Sequence, residues 1–341
     1  MQELEQRDRE LLGVLQGEIP LVSTPFAVVG QQIDMSEKEV IKRIERMRRE
    51  GVLRPVTAQF DTRALGYRSC LVAARIPDER IDEAAGFISA HPGVTQNYRR
   101  NHDFNLWFSI AVSPTSRLGL EATVEALAGE AGLEAFRLLP TLRLFKSSSA
   151  DGTEITGDSV ESASSGEMLS TVEVDAVRLL QRELPLQPRP FDVLAKQSAI
   201  GGEAVIAAAQ SLLARGQMRR LSVSLHQRKA GFMATAMGVW VVPEARLDEI
   251  ATKLSQNRGV SHCYLRPVYP DWPYNVFTTV HGRSVDECES IINDLAIDAG
   301  VDEKRALFPT REYKKARLQY FSPEAEAWEE PRVGRNAVAA S

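Results

Sequence analysis

Four of the five histidines stand among arginines and aromatic residues, and that setting limits the chemistry open to them. His102 lies in RRNHDFNLWF, His262 in GVSHCYLRP, His281 ends NVFTTVH, and His226 sits two residues before Arg228. Side chains two apart along a strand share a face. His262, Tyr264 and Arg266 therefore form one row, and Gln96, Tyr98 and Arg100 form a matching row earlier in the chain. Such a row is poor core material, because its polar atoms need partners once buried. It suits a solvated sheet face, a buried hydrogen-bond network, or a pocket for an anionic, aromatic ligand. In a pocket, arginine would grip carboxylates in bidentate fashion. Tyr98, Tyr264, Tyr269, Trp272 and Tyr274 would supply stacking surface. Histidine, with an ordinary pKa of about 6.5, can deliver a proton near neutrality or ligate iron. His91, in AHPGV at a helix-to-strand turn, reads as structural or solvated.

The elements that would position these residues occur twice. PLVSTPFAVVG from Pro20 returns as PLQPRPFDVLA from Pro185, and GVLRPVTAQFDTRALGY from Gly51 returns as GQMRRLSVSLHQRKAGF from Gly216. GVTQNYRR from Gly93 returns as GVSHCYLR from Gly259, and LPT at 139–141 as FPT at 308–310. The conserved order indicates a tandem duplication. Each copy opens with three helical stretches and a short extended piece, a winged helix-turn-helix. In the first copy, Leu11, Leu12 and Leu15 share a face, Asp34 or Ser36 caps the third helix, and Val40, Ile41, Ile44 and Met47 form its apolar stripe. The remainder alternates as βαββαβ, the ferredoxin-like plan: strands at 67–76, 94–100, 104–112 and 133–139 and helices at 79–90 and 116–131, repeated from Phe232 to Phe308.

The fold class is thus α+β. The reading gives a winged helix-turn-helix over 1–60, a ferredoxin-like domain over 61–146, a linker over 147–170, a second winged helix-turn-helix over 171–226, a second ferredoxin-like domain over 227–322 and a loose tail over 323–341. The linker has eight serines, five acidic residues and no basic ones, too little apolar surface to order itself. A flexible chain of that length reaches roughly 25–30 Å, enough for the copies to pair as an intramolecular pseudo-dimer. The Glu329–Glu330 pair is expected to be solvated.

The composition is that of a globular chain: 341 residues, 43% apolar, 26% charged, net charge −5. No apolar run is long enough to span a membrane, and the charged start MQELEQRDRELLGVL does not look like a signal peptide. Cys70, Cys263 and Cys288 are scattered, which fits neither a disulfide framework nor a zinc site and points to a reducing cytoplasm. DNA reading is not favoured. The third helix of the first copy carries Lys38, Lys42, Arg43, Arg46, Arg48 and Arg49 against Glu37, Glu39, Glu45 and Glu50, while its counterpart GGEAVIAAAQSLLARG has only Arg215. Groove readers need donors and positive charge.

DRELLGVLQ (8–16) and MSEKEVIKRIERMRREGVL (35–53), placed before a βαββαβ unit, resemble the Lrp/AsnC family of regulators. A narrower resemblance lies in LGYRS (65–69), NYRRNHDFNLWF (97–108), LPTLRLFK (139–146), HQRKAGF (226–232), GVSHCYLRPVYPDWPYNVFTTVHG (259–282) and FPTREYKK (308–315). These strings look like those of sirohaem decarboxylases, a family on the Lrp/AsnC plan usually built from two related subunits, here fused. The resemblance implies non-oxidative removal of two acetate carboxylates of sirohaem as CO₂, giving didecarboxysirohaem on the way to haem d1. It implies His102 and His262 as proton donors, assisted by Tyr264. Arg63, Arg100, Arg228 and Arg266, with Tyr98, Trp272, Tyr274, His226 and His281, would bind the substrate. The iron would belong to the substrate, with no further cofactor or metal. Partners would be sirohaem, its products, and related subunits or further copies of the chain. Gln96 stands where the second copy has His262, and the first copy lacks the PDWP turn. One working site, or two sites with different tasks, is therefore expected. A regulator sensing a haem-like ligand and a tetrapyrrole carrier are the other readings.

Overall fold

The computed structural model describes residues 5–147, 168–196, 198–223 and 234–339. The first repeat runs α1 (Gln6–Gln16), α2 (Pro25–Gln32), α3 (Glu37–Arg49), β1 (Thr57–Phe60), β2 (Arg68–Arg75), α4 (Ile81–Ala90), β3 (Val94–Arg100), β4 (Leu106–Val112), α5 (Gly119–Ala131), β5 (Ala135–Leu139) and β6 (Arg143–Ser147). The second repeats that order: α6 (Thr171–Leu180), α7 (Pro190–Ala195), α8 (Gly202–Ala214), β7 (Met218–Ser222), β8 (Ala234–Trp240), α9 (Leu247–Gln256), β9 (Val260–Leu265), β10 (Val276–Gly282), α10 (Val285–Ala299), β11 (Lys304–Leu307) and β12 (Pro309–Lys315). A last helix, α11 (Pro323–Ala339), follows. The linker expected at 147–170 lies mostly outside the described residues.

The compact units are not the repeats themselves. One unit gathers Met1–Gly66, Ser165–Arg228 and Gln319–Ser322, and the other Tyr67–Ser164, Lys229–Leu318 and Pro323–Ser341. Each draws on both repeats, whereas the sequence reading drew its boundaries along the chain.

In the first unit, both helical triads hide an apolar face. Val40, Ile44 and Met47 of α3 are fully buried, each worth roughly 1.5–3 kcal/mol of transfer from water. Ser36 caps α3 by accepting from the Glu39 amide at 3.3 Å. Gly51, at φ 70°, ends it while the Val52 amide reaches back to Met47 O at 2.9 Å. Gly216, at φ 71°, and Gln217 N–Leu212 O at 2.9 Å repeat that ending after α8. A left-handed residue is needed there, and glycine adopts it without a Cβ penalty. The wings, β1 and β7, pair with each other antiparallel, Thr57 opposite Ser222. Three of the six cations of α3 are held in ion pairs among the described residues. Arg43 bonds Glu5, Asp8 and Glu39 at 2.9 Å each, Arg46 also holds Asp8, and Arg48 holds Glu183.

The second unit contains two five-stranded antiparallel sheets, β12-β3-β4-β2-β5 and β11-β8-β10-β9-β6. Each takes its edge strand from the other repeat: β12 pairs with β3, Glu312 opposite Tyr98, and β6 pairs with β9, Leu144 opposite Tyr264. The sequence reading missed this exchange, because it ended each copy one strand early. One face of each sheet packs on its own pair of helices, around Val72, Phe108 and Val124 in one and Ala236, Val280 and Ile292 in the other. The opposite faces meet in a shared cluster of Ala73, Phe104, Trp107, Leu139, Val239, Tyr264, Trp272, Tyr274, Phe277 and Leu307.

The expected loose tail is instead largely α11. Trp328 packs against the first helix-face core and meets His91 edge-on at 4.4 Å between centroids. Glu329 is 8% exposed, accepting from Ser116 Oγ at 2.6 Å and from the Leu118 amide. It is a buried cap at the N-terminus of α5, not a solvated charge. Among the described residues no helix is long and apolar enough to cross a membrane, and the three cysteines are free and buried.

Candidate functional site

His102 stands in the β3–β4 turn, where its Nδ1 accepts from the Phe104 amide at 3.0 Å. That bond leaves the ring proton of the neutral imidazole on Nε2. Burial holds its pKa below the ordinary histidine value, with Arg305 adding to the effect and Asp103 opposing it. The ring stacks near Phe104 and meets Trp272 edge-on at 5.2 Å.

His102 lines a cavity of about 800 Å³ together with Arg75, Arg99, Arg100 and Arg311, a size suited to a small-molecule ligand. The cations are held unequally. Arg99 bonds Asp78 at 2.8 Å, Arg75 bonds Glu134 at 3.4 Å and Arg311 bonds Asp82 at 2.6 Å. Arg100 has no carboxylate partner among the described residues. It donates to Leu307 O at 3.1 Å and lies over the rings of Tyr98 and Trp107, while its buried Nε has no hydrogen-bond partner. Burial lowers its pKa to about 10, so it remains charged at neutrality. A desolvated cation lacking a counter-ion is prepared for an anion. Arg75, Arg99 and Arg311 were absent from the sequence reading. Arg311 reaches the cavity only because β12 crosses to β3, and no spacing in the sequence signals that crossing.

The second-repeat row is present on β9. His262 is 9% exposed and Tyr264 6%; their rings stack at 5.8 Å, and the Arg266 guanidinium lies 5.1 Å from the Tyr264 centroid. Arg266 also donates to Leu139 O, across the repeats, as Arg100 does to Leu307 O. A hydroxyl absent from the sequence reading joins two histidines. Ser261 Oγ lies 2.8 Å from His262 Nδ1 and 2.8 Å from His281 Nε2, and His281 Nδ1 lies 3.1 Å from Thr235 Oγ1.

The other candidates fall elsewhere. Trp272 is fully buried and Tyr274 7% exposed, both within the aromatic cluster, so neither offers the open stacking face expected of it. The PDWP turn is closed by paired Tyr269–Trp272 backbone bonds at 2.8 and 2.9 Å, and the Tyr269 hydroxyl donates to Leu138 O at 2.7 Å. Trp272 is packed by His102, Phe104, Trp107 and Tyr274 at 5.0–5.6 Å, so the turn wedges the aromatic core and backs His102. Tyr98 pairs with Trp107 across β3 and β4. Arg63 belongs to the helical unit, where its amide donates to Asp61 at 3.1 Å. His226 and Arg228 lie outside the described residues.

The cavity combines His102 with arginines able to bind carboxylates, interspersed with Asp78, Asp103 and Glu134, while His262 stands on β9 in the other sheet. Kinship agrees with this chemistry. An AsnC-like ligand binding domain model matches residues 64–146 and 229–314, and a siroheme decarboxylase NirDL-like HTH domain model matches 8–54 and 174–219. A siroheme decarboxylase of Hydrogenobacter thermophilus is 35% identical over 94% of this chain and 96% of its own length. The siroheme decarboxylase beta subunit of Methanosarcina barkeri is 33% identical over 43% of this chain and 97% of its own. The crystal structure of the siroheme decarboxylase NirDL in complex with an iron-uroporphyrin III analogue is 32% identical, with a TM-score of 0.79, covering 97% of this chain and 99% of that one. With both repeats matched and relatives that span it almost completely, the chain belongs to the siroheme decarboxylase family.

Proposed function

We propose that this protein is a carbon–carbon lyase that removes two acetate carboxylates from sirohaem as CO₂, yielding 12,18-didecarboxysirohaem for haem d1 biosynthesis. The observation that carries the reading is the arginine-lined cavity beside His102 in a chain of this family. Sirohaem is a flat aromatic ring edged with carboxylates. Arg100, with Arg75, Arg99 and Arg311 after exchange of their present partners, answers the carboxylates.

Each turnover breaks one C–C bond. The electron pair stays on the former acetate carbon, CO₂ leaves, and a proton completes the methyl group. His262, with Tyr264 beside it, and His102 are the proton donors of this reading. An apolar environment around the departing acetate would favour loss of its charge. The iron is the substrate's own, and the redox-neutral chemistry asks for no resident cofactor. The reaction belongs in the cytoplasm, and further association with copies of the chain is part of the reading. A DNA-reading role is disfavoured by the ion pairs on Arg43, Arg46 and Arg48.

The test is anaerobic incubation of the full chain with sirohaem and mass spectrometry of the extracted tetrapyrrole. Loss of one or two CO₂ masses is expected. His102→Ala and His262→Ala each slow it on the order of a hundredfold, and Arg100→Gln weakens binding roughly tenfold or more in a Soret titration. Tight binding with no mass change overturns the reading in favour of a sensor or carrier.

A further inference from the structure

We infer that Thr235, His281 and Ser261 form a proton relay that recharges His262 from solvent, and that this relay is confined to the second repeat. The inference rests on the decarboxylase reading. Each CO₂ released consumes one proton, while His262 is buried, so its ring must be resupplied.

The geometry is continuous. Thr235 is exposed, His281 and Ser261 are intermediate, and His262 is buried. The links are 3.1, 2.8 and 2.8 Å from Thr235 to His281 to Ser261 to His262. Neighbours on a regular strand face opposite ways, so Ser261 and His262 would not ordinarily meet. A bulge brings them together: Thr279 pairs with His262 and Val280 with Val260, leaving Ser261 as the extra residue on β9. Bulges re-aim side chains in this way beside active sites.

Ser261 Oγ carries a single hydrogen between two imidazole nitrogens, its third contact, Thr279 O, lying farther off at 3.4 Å. In the loaded state, Thr235 donates to His281 Nδ1, His281 Nε2–H to Ser261, and Ser261 to His262 Nδ1, which places a proton on His262 Nε2. When that proton moves to the substrate carbon, each hydroxyl and imidazole passes one proton forward, and Thr235 takes one from water. The C–C electron pair becomes the C–H bond, and no net charge is left inside. Product departure admits water to Nε2 and resets the chain.

The first repeat keeps the bulge and loses the relay. Val94 pairs with Ile110 and Gln96 with Ser109, leaving Thr95 as its extra residue. Gln96 stands for His262, Ala111 for His281 and Ser69, its cross-strand partner, for Thr235. Thr95 is 1% exposed and its hydroxyl has no hydrogen-bond partner among the described residues.

The test compares wild type, Ser261→Ala, Ser261→Thr and His281→Ala in anaerobic sirohaem turnover, with kcat, its pH profile, its solvent deuterium isotope effect and Soret-monitored sirohaem affinity. The relay requires that Ser261→Ala lower kcat roughly tenfold or more, reshape the pH profile and change the isotope effect, with affinity kept within about twofold. Ser261→Thr, which keeps a hydroxyl, restores most of the rate, and added imidazole partly rescues His281→Ala. An active wild type with Ser261→Ala unchanged in rate and isotope effect overturns the relay and leaves the decarboxylase reading standing. Loss of rate and affinity together, without rescue by Ser261→Thr, also overturns it, as a packing role. A wild type that binds sirohaem and releases no CO₂ overturns both.

Discussion

At His91, burial, together with the charges of Lys314 and Arg332 and against that of Glu329, brings the pKa down to about 4. The residue is 4% exposed, and its Nδ1 accepts from the Gly93 amide at 3.0 Å. Protonation would set an N–H against that amide. An unfolded histidine titrates near 6.5, so below that value the unfolded chain takes up a proton that the folded one refuses. Stability is therefore full above about pH 6.5 and falls as the pH drops toward 4, by about 3 kcal/mol over the window. His91→Gln is expected to flatten this part of the stability curve in urea titrations at several pH values, while costing about 1 kcal/mol at pH 7.5. A slope identical to wild type would show that His91 is not the group responsible. His102 is shifted in the same direction mainly by burial, yet it lines a cavity. The surroundings, not the residue type, separate a structural histidine from a candidate catalytic one.

Among the elements, α11 and the exchanged strands hold more than their sequences suggest. Burial pushes the Glu329 carboxyl up, but hydrogen bonds from Ser116 and the Leu118 and Arg117 amides outweigh it and hold the pKa below the usual carboxylate range. The ionised carboxylate sits at the N-terminus of α5, where the helix dipole favours it. Arg332 ties the same helix to Glu130 at 2.6 Å while lying over Trp328. Glu329→Ala is expected to cost about 1–2 kcal/mol, read as a lower thermal midpoint with sirohaem affinity retained. An unchanged midpoint would mean that α11 docks without contributing to stability. At the other edge, β12 carries Arg311 and Tyr313 to Asp82 at 2.6 and 2.5 Å, so the strand fixes the cavity wall as well as completing the sheet.

For the molecule as a whole, reciprocal strand exchange makes each repeat depend on the other. Without the second repeat, the first lacks β12 on its sheet and β7 on its wing; without the first, the second lacks β6 and β1. Unpaired edges of this kind drive association. Residues 1–147 and 168–341, produced separately, are expected to aggregate or self-pair, and produced together to purify as a one-to-one complex that turns over sirohaem. If each half were a stable monomer, the exchange would be dispensable. The two repeats are nevertheless not equivalent, since Gln96 replaces His262 and Ala111 replaces His281 at matching registers. The reading assigns the relay-fed acid to one repeat and the arginine cavity to the β3–β4 turn of the other.

The sequence alone determined the duplication, the order of elements within each repeat, the strand rows bearing His262, Tyr264 and Arg266, and the family strings, because periodicity and local motifs survive in one dimension. It also singled out His102 and Arg100, which share the cavity. It misplaced Trp272 and Tyr274, since an aromatic turn reads alike whether it lines a pocket or fills a core. It left out Ser261, Thr235 and Arg311. A bulge shifts one residue's aim without changing composition, and a strand pairing 200 residues away has no local signature. Tertiary structure decided these points, because long-range pairing and burial determine which polar atoms find partners, and those partners set the chemistry.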